Sequence, residues 1–285
     1  MRGRKMKLLK TLCCFSLSLA LLLTAACSGG ESGQPETTTE ALSESVVNTV
    51  TVTIPEGTSA SQIAELLEEK GVCSAQDFLS AVKNTENLSL IPENIENADE
   101  RAFLLEGYLF PDTYEFYLNS SGQSALKRFT DNLNAKLKPE YYDRARALGY
   151  TMDEIITIAS IIQEEAGNPA EMNDVSSVIH NRLDSYDYPY IQCDVAIVYL
   201  ERYVKPYFTE EEYEELTYNY NIVSKRRGLP AGAITNPGTA AIEAALYPSD
   251  TDYYYFVTDE DGNYYYANTY AGHRENCRKA GIKGY

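Results

Sequence analysis

The sequence contains no tryptophan, only two histidines and little positive charge. Its 24 Lys and Arg residues are outnumbered by 42 Asp and Glu residues, so the formal net charge over 285 residues is −18. Because such a surface repels phosphate backbones, we do not expect nucleic-acid binding. Two histidines, with no Cys-x-x-Cys pair, also leave too few ligands for a zinc site, and we expect neither a metal nor another cofactor.

A long hydrophobic run is also missing, except near the amino terminus. Residues 12–23 are apolar and follow a basic start, but they are too few and too rich in Ser and Ala for a membrane span. Residues 1–26 are therefore predicted to be a lipoprotein signal peptide, since the small residues before Cys27 resemble a bacterial lipobox. Cys27 would then carry lipid at the extracytoplasmic face of the cell membrane. An ordinary signal peptide cut near Ala26 and an uncleaved anchor stay open.

The segment after the signal has almost nothing to bury. Residues 27–47 are rich in Ser, Thr, Glu and Gly, which predicts a disordered tether between the membrane and the folded part. With Cys27 assigned to lipid, Cys73, Cys193 and Cys277 remain outside the signal. An odd number implies no disulfide framework, although one pair could form.

Residues 48–98 are predicted to form a small module. Residues 50–54 alternate β-formers with period two, and Ser59 and Ser74 each precede a stretch with helical spacing of apolar residues. This order of strand, helix, turn and helix resembles a LysM-like module. A generic packing module that binds nothing fits the same pattern.

Residues 99–285 are predicted to form a second, larger α+β domain, so the whole chain is assigned to the α+β class. Helices are expected at 122–138, 139–147 and 174–184, and a β-hairpin is expected from 253 to 268. The regular strand and helix alternation of a two-lobed solute-binding lipoprotein is missing.

The most informative helix begins at Thr151. Thr151 and Glu154 form a capping-box pattern, and residues 155–162 are apolar nearly all round, so this helix should be central. Glu165 lies one turn beyond Ile161 and Ile162, at the end of the buried face. Burial would raise the pKa of this carboxyl, as a proton donor near neutral pH requires. The spacing alone also fits a solvated helix end.

Seven blocks of sequence carry a family resemblance. They are EGYLFPDTYEF (106–116), IASIIQEEAG (158–167), SSVIHNRL (176–183), IQCDVAIVY (191–199), GLPAGAITNPG (228–238), AALYPSDTDYYYFV (244–257) and the terminal His273. In this order they resemble the endolytic murein transglycosylase family, also called YceG-like. That family's helix motif usually ends in Glu-x-Glu, whereas Gln163 stands first here, which indicates Glu165 as the acid.

The resemblance implies a lyase that cuts the β-1,4 bond between N-acetylmuramic acid and N-acetylglucosamine within peptidoglycan strands, leaving 1,6-anhydro ends. Glu165 would act first as general acid and then as base. The sequence by itself does not separate this outcome from hydrolysis.

The blocks also suggest substrate-binding residues, namely Gln192, Asp194, Glu106 and Asn236. Structural roles are equally open for three of them: strand-end or cap polar groups for Gln192 and Asp194, and a buried ion pair or turn cap for Glu106. For Asn236, a helix N-cap before Pro237 is the simplest interpretation.

The expected partners are peptidoglycan strands, the membrane through the lipid anchor, and proteins of cell-wall synthesis or division. A lipid-anchored peptidoglycan-binding module without catalytic turnover is the alternative function. Loss of Glu165 separates the two, because binding would survive it and cleavage would not.

Overall fold

A computed structural model describes residues 48–93 and 95–283. The signal peptide, Cys27 and the tether at 27–47 lie outside the described residues. The described part is an α+β fold. Its strands are β1 (Thr49–Thr53), β2 (Thr113–Tyr117), β3 (Tyr255–Thr258) and β4 (Tyr264–Ala267). Its helices are α1 (Ala60–Glu69), α2 (Ala75–Lys83), α3 (Gly122–Lys136), α4 (Pro139–Leu148), α5 (Met152–Glu165), α6 (Met172–Leu183), α7 (Val195–Tyr199), α8 (Glu210–Tyr220), α9 (Thr239–Leu246) and α10 (Tyr270–Lys279).

The first part of the chain forms a β-α-α-β unit. β1 pairs antiparallel with β2, from Thr49 opposite Tyr117 to Thr53 opposite Thr113. The predicted helix starts are confirmed, since the Ser59 and Ser74 side chains accept hydrogen bonds from backbone N–H groups at the starts of α1 and α2. The only strand that pairs with β1 among the described residues is β2, which lies beyond residue 98. The two-stranded sheet of this unit is thus not contained within residues 48–98.

An aromatic cluster joins this unit to the rest of the molecule. Phe129 of α3 contacts Phe78 of α2 and Tyr114 of β2, with ring centroids 5.8 and 4.6 Å apart. Buried apolar residues from Val52 to Leu246 form one continuous core. Residues 48–98 thus share their core with the rest of the described chain, because their helices and strand need partners from beyond that segment.

Helix α5 lies at the centre, as its sequence predicts. The Thr151 hydroxyl accepts from the Glu154 N–H (3.1 Å), and the Glu154 carboxylate accepts from the Thr151 N–H (2.8 Å), which completes the capping box. Its isoleucines are fully buried against α9, α6, α7 and α4. Burying each such side chain contributes about 2 kcal/mol. None of the described helices is long and apolar enough to cross a membrane.

The carboxy-terminal part is a hairpin followed by a helix. The predicted hairpin is confirmed as β3 and β4, which pair antiparallel with Tyr255 opposite Ala267. Asp259 organises the turn, since its carboxylate accepts from the backbone N–H groups of Asp261 (3.0 Å) and Asn263 (2.8 Å). Helix α10 packs on both strands, so the hairpin gains a second layer that the sequence patterns did not predict.

Candidate active site

The last turn of α5 brings Glu165 to a cavity of about 490 Å³. The cavity is lined by side chains from α6, the 191–194 segment, the start of β3 and α10. They are Glu165, Val178, Ile179, Arg182, Ile191, Gln192, Cys193, Asp194, Val223, Tyr254, Tyr255, Phe256, Tyr270 and His273. These walls come from segments far apart in sequence, so the cavity exists only in the folded chain.

Tyr264 of β4 holds the end of α5 in place. Its hydroxyl donates to the carbonyl oxygen of Glu165 (3.0 Å) and accepts from the Gly167 N–H (2.8 Å). The last carbonyls of a helix have no partner within the helix, and a side chain that satisfies one of them limits fraying. The hairpin therefore fixes the backbone that carries Glu165.

The surroundings of Glu165 favour its neutral form. Burial raises the pKa of this carboxyl from 4.5 to about 7, and the charges of Asp194 and Glu164 act in the same direction. A hydrogen bond with the buried Cys193 thiol has the opposite, smaller effect. A carboxylic acid that keeps its proton near neutral pH is suited to general acid catalysis.

The two residues before Glu165 point elsewhere. Gln163 Oε1 accepts from the Gly238 N–H (3.0 Å) at the start of α9. Glu164 is exposed and lies beside Gly57, where a Cβ atom on that glycine would be 2.8 Å from its Oε1. Neither lines the cavity, so Glu165 is the residue of this run that faces it.

Gln192 and Asp194 share the cavity with Glu165. Gln192 has φ of +64°, a left-handed conformation that costs a non-glycine residue about 1 kcal/mol. Its Oε1 accepts from Arg182 Nη2, which leaves the Gln192 amide N–H groups as donors. The structure therefore brings both predicted residues to the acid, and their contact with substrate stays a prediction.

Glu106 and Asn236 lie together in a different, buried network. They are 1% and 0% exposed, and Asn236 Nδ2 donates to Glu106 Oε1 at 2.7 Å. Glu106 also accepts from the Ala60 N–H (2.9 Å) and the Tyr199 hydroxyl (3.2 Å). Burial raises the pKa of Glu106 to about 8 against the effect of these donors. This placement favours a structural role over the predicted contact with substrate.

The N-cap role considered for Asn236 is wrong. Helix α9 starts at Thr239 with Gly238 as N-cap and no side-chain cap. The Asn236 amide instead accepts from the Leu109 N–H (2.8 Å) and donates to the Thr58 carbonyl (2.9 Å). The side-chain amide of Asn236 therefore forms hydrogen bonds with residues far away in sequence and does not cap a helix.

The YceG-like family matches residues 31–279 of the sequence, which is most of the chain. The chain belongs to the YceG-like family.

Relatives of known name agree with this assignment. The endolytic murein transglycosylase of Streptococcus pneumoniae strain D39 is 30% identical over 244 residues, which is 79% of this chain and 44% of that protein. The endolytic murein transglycosylase of Bacillus subtilis strain 168 is 28% identical over 236 residues, which is 80% of this chain and 64% of that protein. This chain thus spans about half to two thirds of the length of these relatives.

A crystal structure shows the same fold. The chain is similar to a YceG-like protein of Listeria monocytogenes with a TM-score of 0.68 and 28% sequence identity, over 79% of this chain and 75% of that one. The mixed α+β architecture of the described residues is therefore a YceG-like fold.

Most of the hairpin tyrosines of this YceG-like chain are expected to pack within the sheet, because strands favour tyrosine. In the structure, the Tyr255 ring stacks on His273, with centroids 5.1 Å apart, and both line the cavity. Tyr254 also lines it and stacks on Tyr188 at 4.4 Å. Tyr254 directly precedes β3 and Tyr255 is its first residue, so the tyrosines that reach the cavity lie where the strand begins.

All three cysteines that the structure describes are free thiols. Cys193 is buried and forms a hydrogen bond with the Glu165 carboxyl group, and Cys277 Sγ lies 3.5 Å from His273 Nε2. The Cys193 thiol thus contacts the acid directly, a role that the sequence did not suggest.

Proposed function

We propose that this protein is an endolytic lytic transglycosylase that cuts peptidoglycan strands between N-acetylmuramic acid and N-acetylglucosamine. The observation that carries the proposal is the placement of Glu165 on a cavity of about 490 Å³, where burial raises the pKa of its carboxyl to about 7. Membership of the YceG-like family and its similarity to two endolytic murein transglycosylases support the same activity.

In the proposed mechanism, one carboxyl group serves twice. Glu165 donates its proton to the glycosidic oxygen as the bond from that oxygen to the anomeric carbon breaks. The carboxylate then accepts the proton of the muramoyl 6-hydroxyl as that oxygen bonds to the anomeric carbon. The product is a 1,6-anhydromuramoyl end, and the acid returns to its starting state without water.

The other polar groups of the cavity have supporting roles. The Gln192 amide N–H groups are placed to donate to a sugar acetamido or hydroxyl oxygen, since its carbonyl is held by Arg182. Asp194 is the other carboxylate of the cavity lining, and it accepts from sugar hydroxyls in this scheme. A hydrolase would instead need Asp194 to activate water, so product chemistry tests its role.

Product analysis is the direct experiment. Purified peptidoglycan is incubated with the full chain, and the released glycans are analysed by mass spectrometry. We expect muramoyl ends lighter by one water than hydrolytic ends. Glu165→Gln should lower turnover by about two to four orders of magnitude, and Glu164→Gln, the matched neighbour, should lower it far less. Reducing muramoyl ends would assign the protein to the hydrolases. Full activity of Glu165→Gln would show that Glu165 is not the catalytic acid.

We infer that the β-α-α-β unit of β1, α1, α2 and β2 is LysM-like and contacts glycan. The order of these four elements supports the proposed LysM-like character, although residues 84–112 are inserted between α2 and β2. The test is to add N-acetylglucosamine oligomers and follow backbone amide shifts. Shifts confined to the Glu165 cavity would leave the unit a packing element only.

We propose that the protein acts at the extracytoplasmic face of the cell membrane through lipid on Cys27. The lipobox-like residues before Cys27 and the polar segment at 27–47 support this location. About twenty tether residues would give a reach of roughly 25 Å, near cell-wall synthesis and division proteins as expected partners. Cys27→Ser should abolish metabolic lipid labelling and change membrane fractionation, and unchanged labelling would contradict lipidation.

A further inference from the structure

A second, smaller cavity adjoins the one that Glu165 lines. Its volume is about 270 Å³, and it shares Arg182 and Ile191 with the wall of the Glu165 cavity. Two arginines and no carboxylate line it, together with apolar and tyrosine side chains. In a chain with net charge −18, a cavity of this composition is suited to an anionic ligand. We call it the arginine cavity.

Arg182 is a buried cation on the shared wall. It is 5% exposed, and its guanidinium donates to the carbonyl oxygens of Tyr190 (3.0 Å) and Tyr254 (2.7 Å) and to Gln192 Oε1. These bonds occupy three of its five N–H donors. Among residues 48–93 and 95–283, no carboxylate oxygen lies within 4.0 Å of its nitrogens. A buried charge without a counterion is costly, and an anion in the cavity would offset that cost.

Arg227 belongs to the same lining and is exposed. Its guanidinium lies 5.5 Å from the centre of the Tyr186 ring. No ion pair joins it to any described carboxylate, whereas the neighbouring Arg226 pairs with Glu100 at 2.8 Å. Neither arginine of the cavity is thus paired with a carboxylate of the described residues.

A third cavity adjoins the arginine cavity. Its volume is about 480 Å³, and it shares Leu183, Arg227 and Gly228 with the arginine cavity. The three cavities thus follow one another along the surface from Glu165, past Arg182 and then past Arg227. A branched substrate with its reacting bond at Glu165 would have room for a side branch along this path.

We propose that the arginine cavity binds a carboxylate carried by the muramoyl residue whose glycosidic bond lies at Glu165. This inference rests on the proposed function. The muramoyl residue carries a lactyl ether, which ends in a carboxylate on bare strands and continues into a peptide with its own carboxylates on substituted strands. A guanidinium binds a carboxylate through two parallel hydrogen bonds, so the arginines of the cavity are suited to this group.

Binding in the absence of turnover tests this site. The full chain carrying Glu165→Gln is titrated with bare strands, with peptide-bearing strands, and with both after their carboxylates have been converted to amides. The same titrations are repeated with Arg227→Gln added, and with Lys225→Gln added as the matched control. Lys225 is exposed, carries the same charge and lines none of the three cavities.

We expect Arg227→Gln to weaken binding of carboxylate-bearing strands by about tenfold, the value of one charge-assisted hydrogen bond. Binding of amidated strands should stay within about twofold, and Lys225→Gln should leave every affinity within about twofold. A loss on bare strands identifies the lactyl carboxylate, and a loss confined to peptide-bearing strands identifies a peptide carboxylate.

Two results would overturn the inference: an equal loss on amidated strands, or no loss on carboxylate-bearing strands of either kind. Wild-type cleavage is measured in parallel, so that failure of the arginine-cavity proposal can be distinguished from failure of the proposed function. If wild type produces anhydro ends and Arg227→Gln binds normally, the arginine cavity alone is rejected. If wild type neither binds nor cleaves the strands, the proposed function is rejected and this inference with it.

Discussion

Replacing Glu165 with glutamine should change the stability of the protein in a pH-dependent way as well as its activity. In the folded chain the pKa of this carboxyl is about 7, against an ordinary value of 4.5. Between these two values the folded state binds more protons at this site than the unfolded state. Stability therefore falls as pH rises through that window, and below it the site has no effect.

The size of the effect follows from the same shift. A pKa of about 7 in place of 4.5 corresponds to about 3 kcal/mol at pH values above both, and partial solvent access reduces this. Glutamine keeps the shape and does not ionise. At pH 8, Glu165→Gln should therefore be more stable than wild type by about 1–3 kcal/mol, and at pH 4 the two should be nearly equal.

Urea denaturation at pH 4 and pH 8 measures this difference. The same raised pKa predicts that wild-type cleavage decreases as pH rises through about 7, because the acid loses its proton. Glu164→Gln is the matched control, since its exposed side chain should give a smaller change. An equal stability difference at both pH values, or a variant less stable than wild type at pH 8, would refute the electrostatic argument.

Three further substitutions test the framework around the site, each by urea denaturation. Glu106→Ala should cost about 2–4 kcal/mol, because buried donors lose their acceptor; a normal stability with weaker glycan binding would instead support substrate contact. Gly107→Ala should cost about 2–3 kcal/mol, since φ is +89° and the new Cβ would lie 2.6 Å from that of Ala233; a neutral effect would contradict this packing. Asp153→Ala should cost about 3–5 kcal/mol, because it leaves the buried Arg101 guanidinium without its carboxylate, and a loss below about 1 kcal/mol would contradict that.

Helix starts and the central helix were predictable because they depend on neighbours in sequence. The caps at Ser59, Ser74 and Thr151 are hydrogen bonds between residues three positions apart. The same rule would have found α8, where Thr209 and Glu212 form a capping box. Its partly exposed, tyrosine-rich face lacks the apolar periodicity that identified α5.

The family and the burial of Glu165 could be predicted for a different reason. The seven blocks form an ordered pattern, and the apolar run of α5 places Glu165 at the end of a buried face by helical geometry alone. The raised pKa then follows from burial, which the neighbouring isoleucines already implied.

The sequence by itself thus determined the local elements and the central position of α5, because each depends on residues within a few turns. Only the tertiary structure decided that Gln192 and Asp194 join Glu165 while Asn236 joins Glu106, and that Arg182 and Arg227 line a common cavity. The physical reason is that a buried polar side chain forms hydrogen bonds with the groups that the folded chain places next to it. For Asn236 those partners lie more than a hundred residues away, where no local pattern records them.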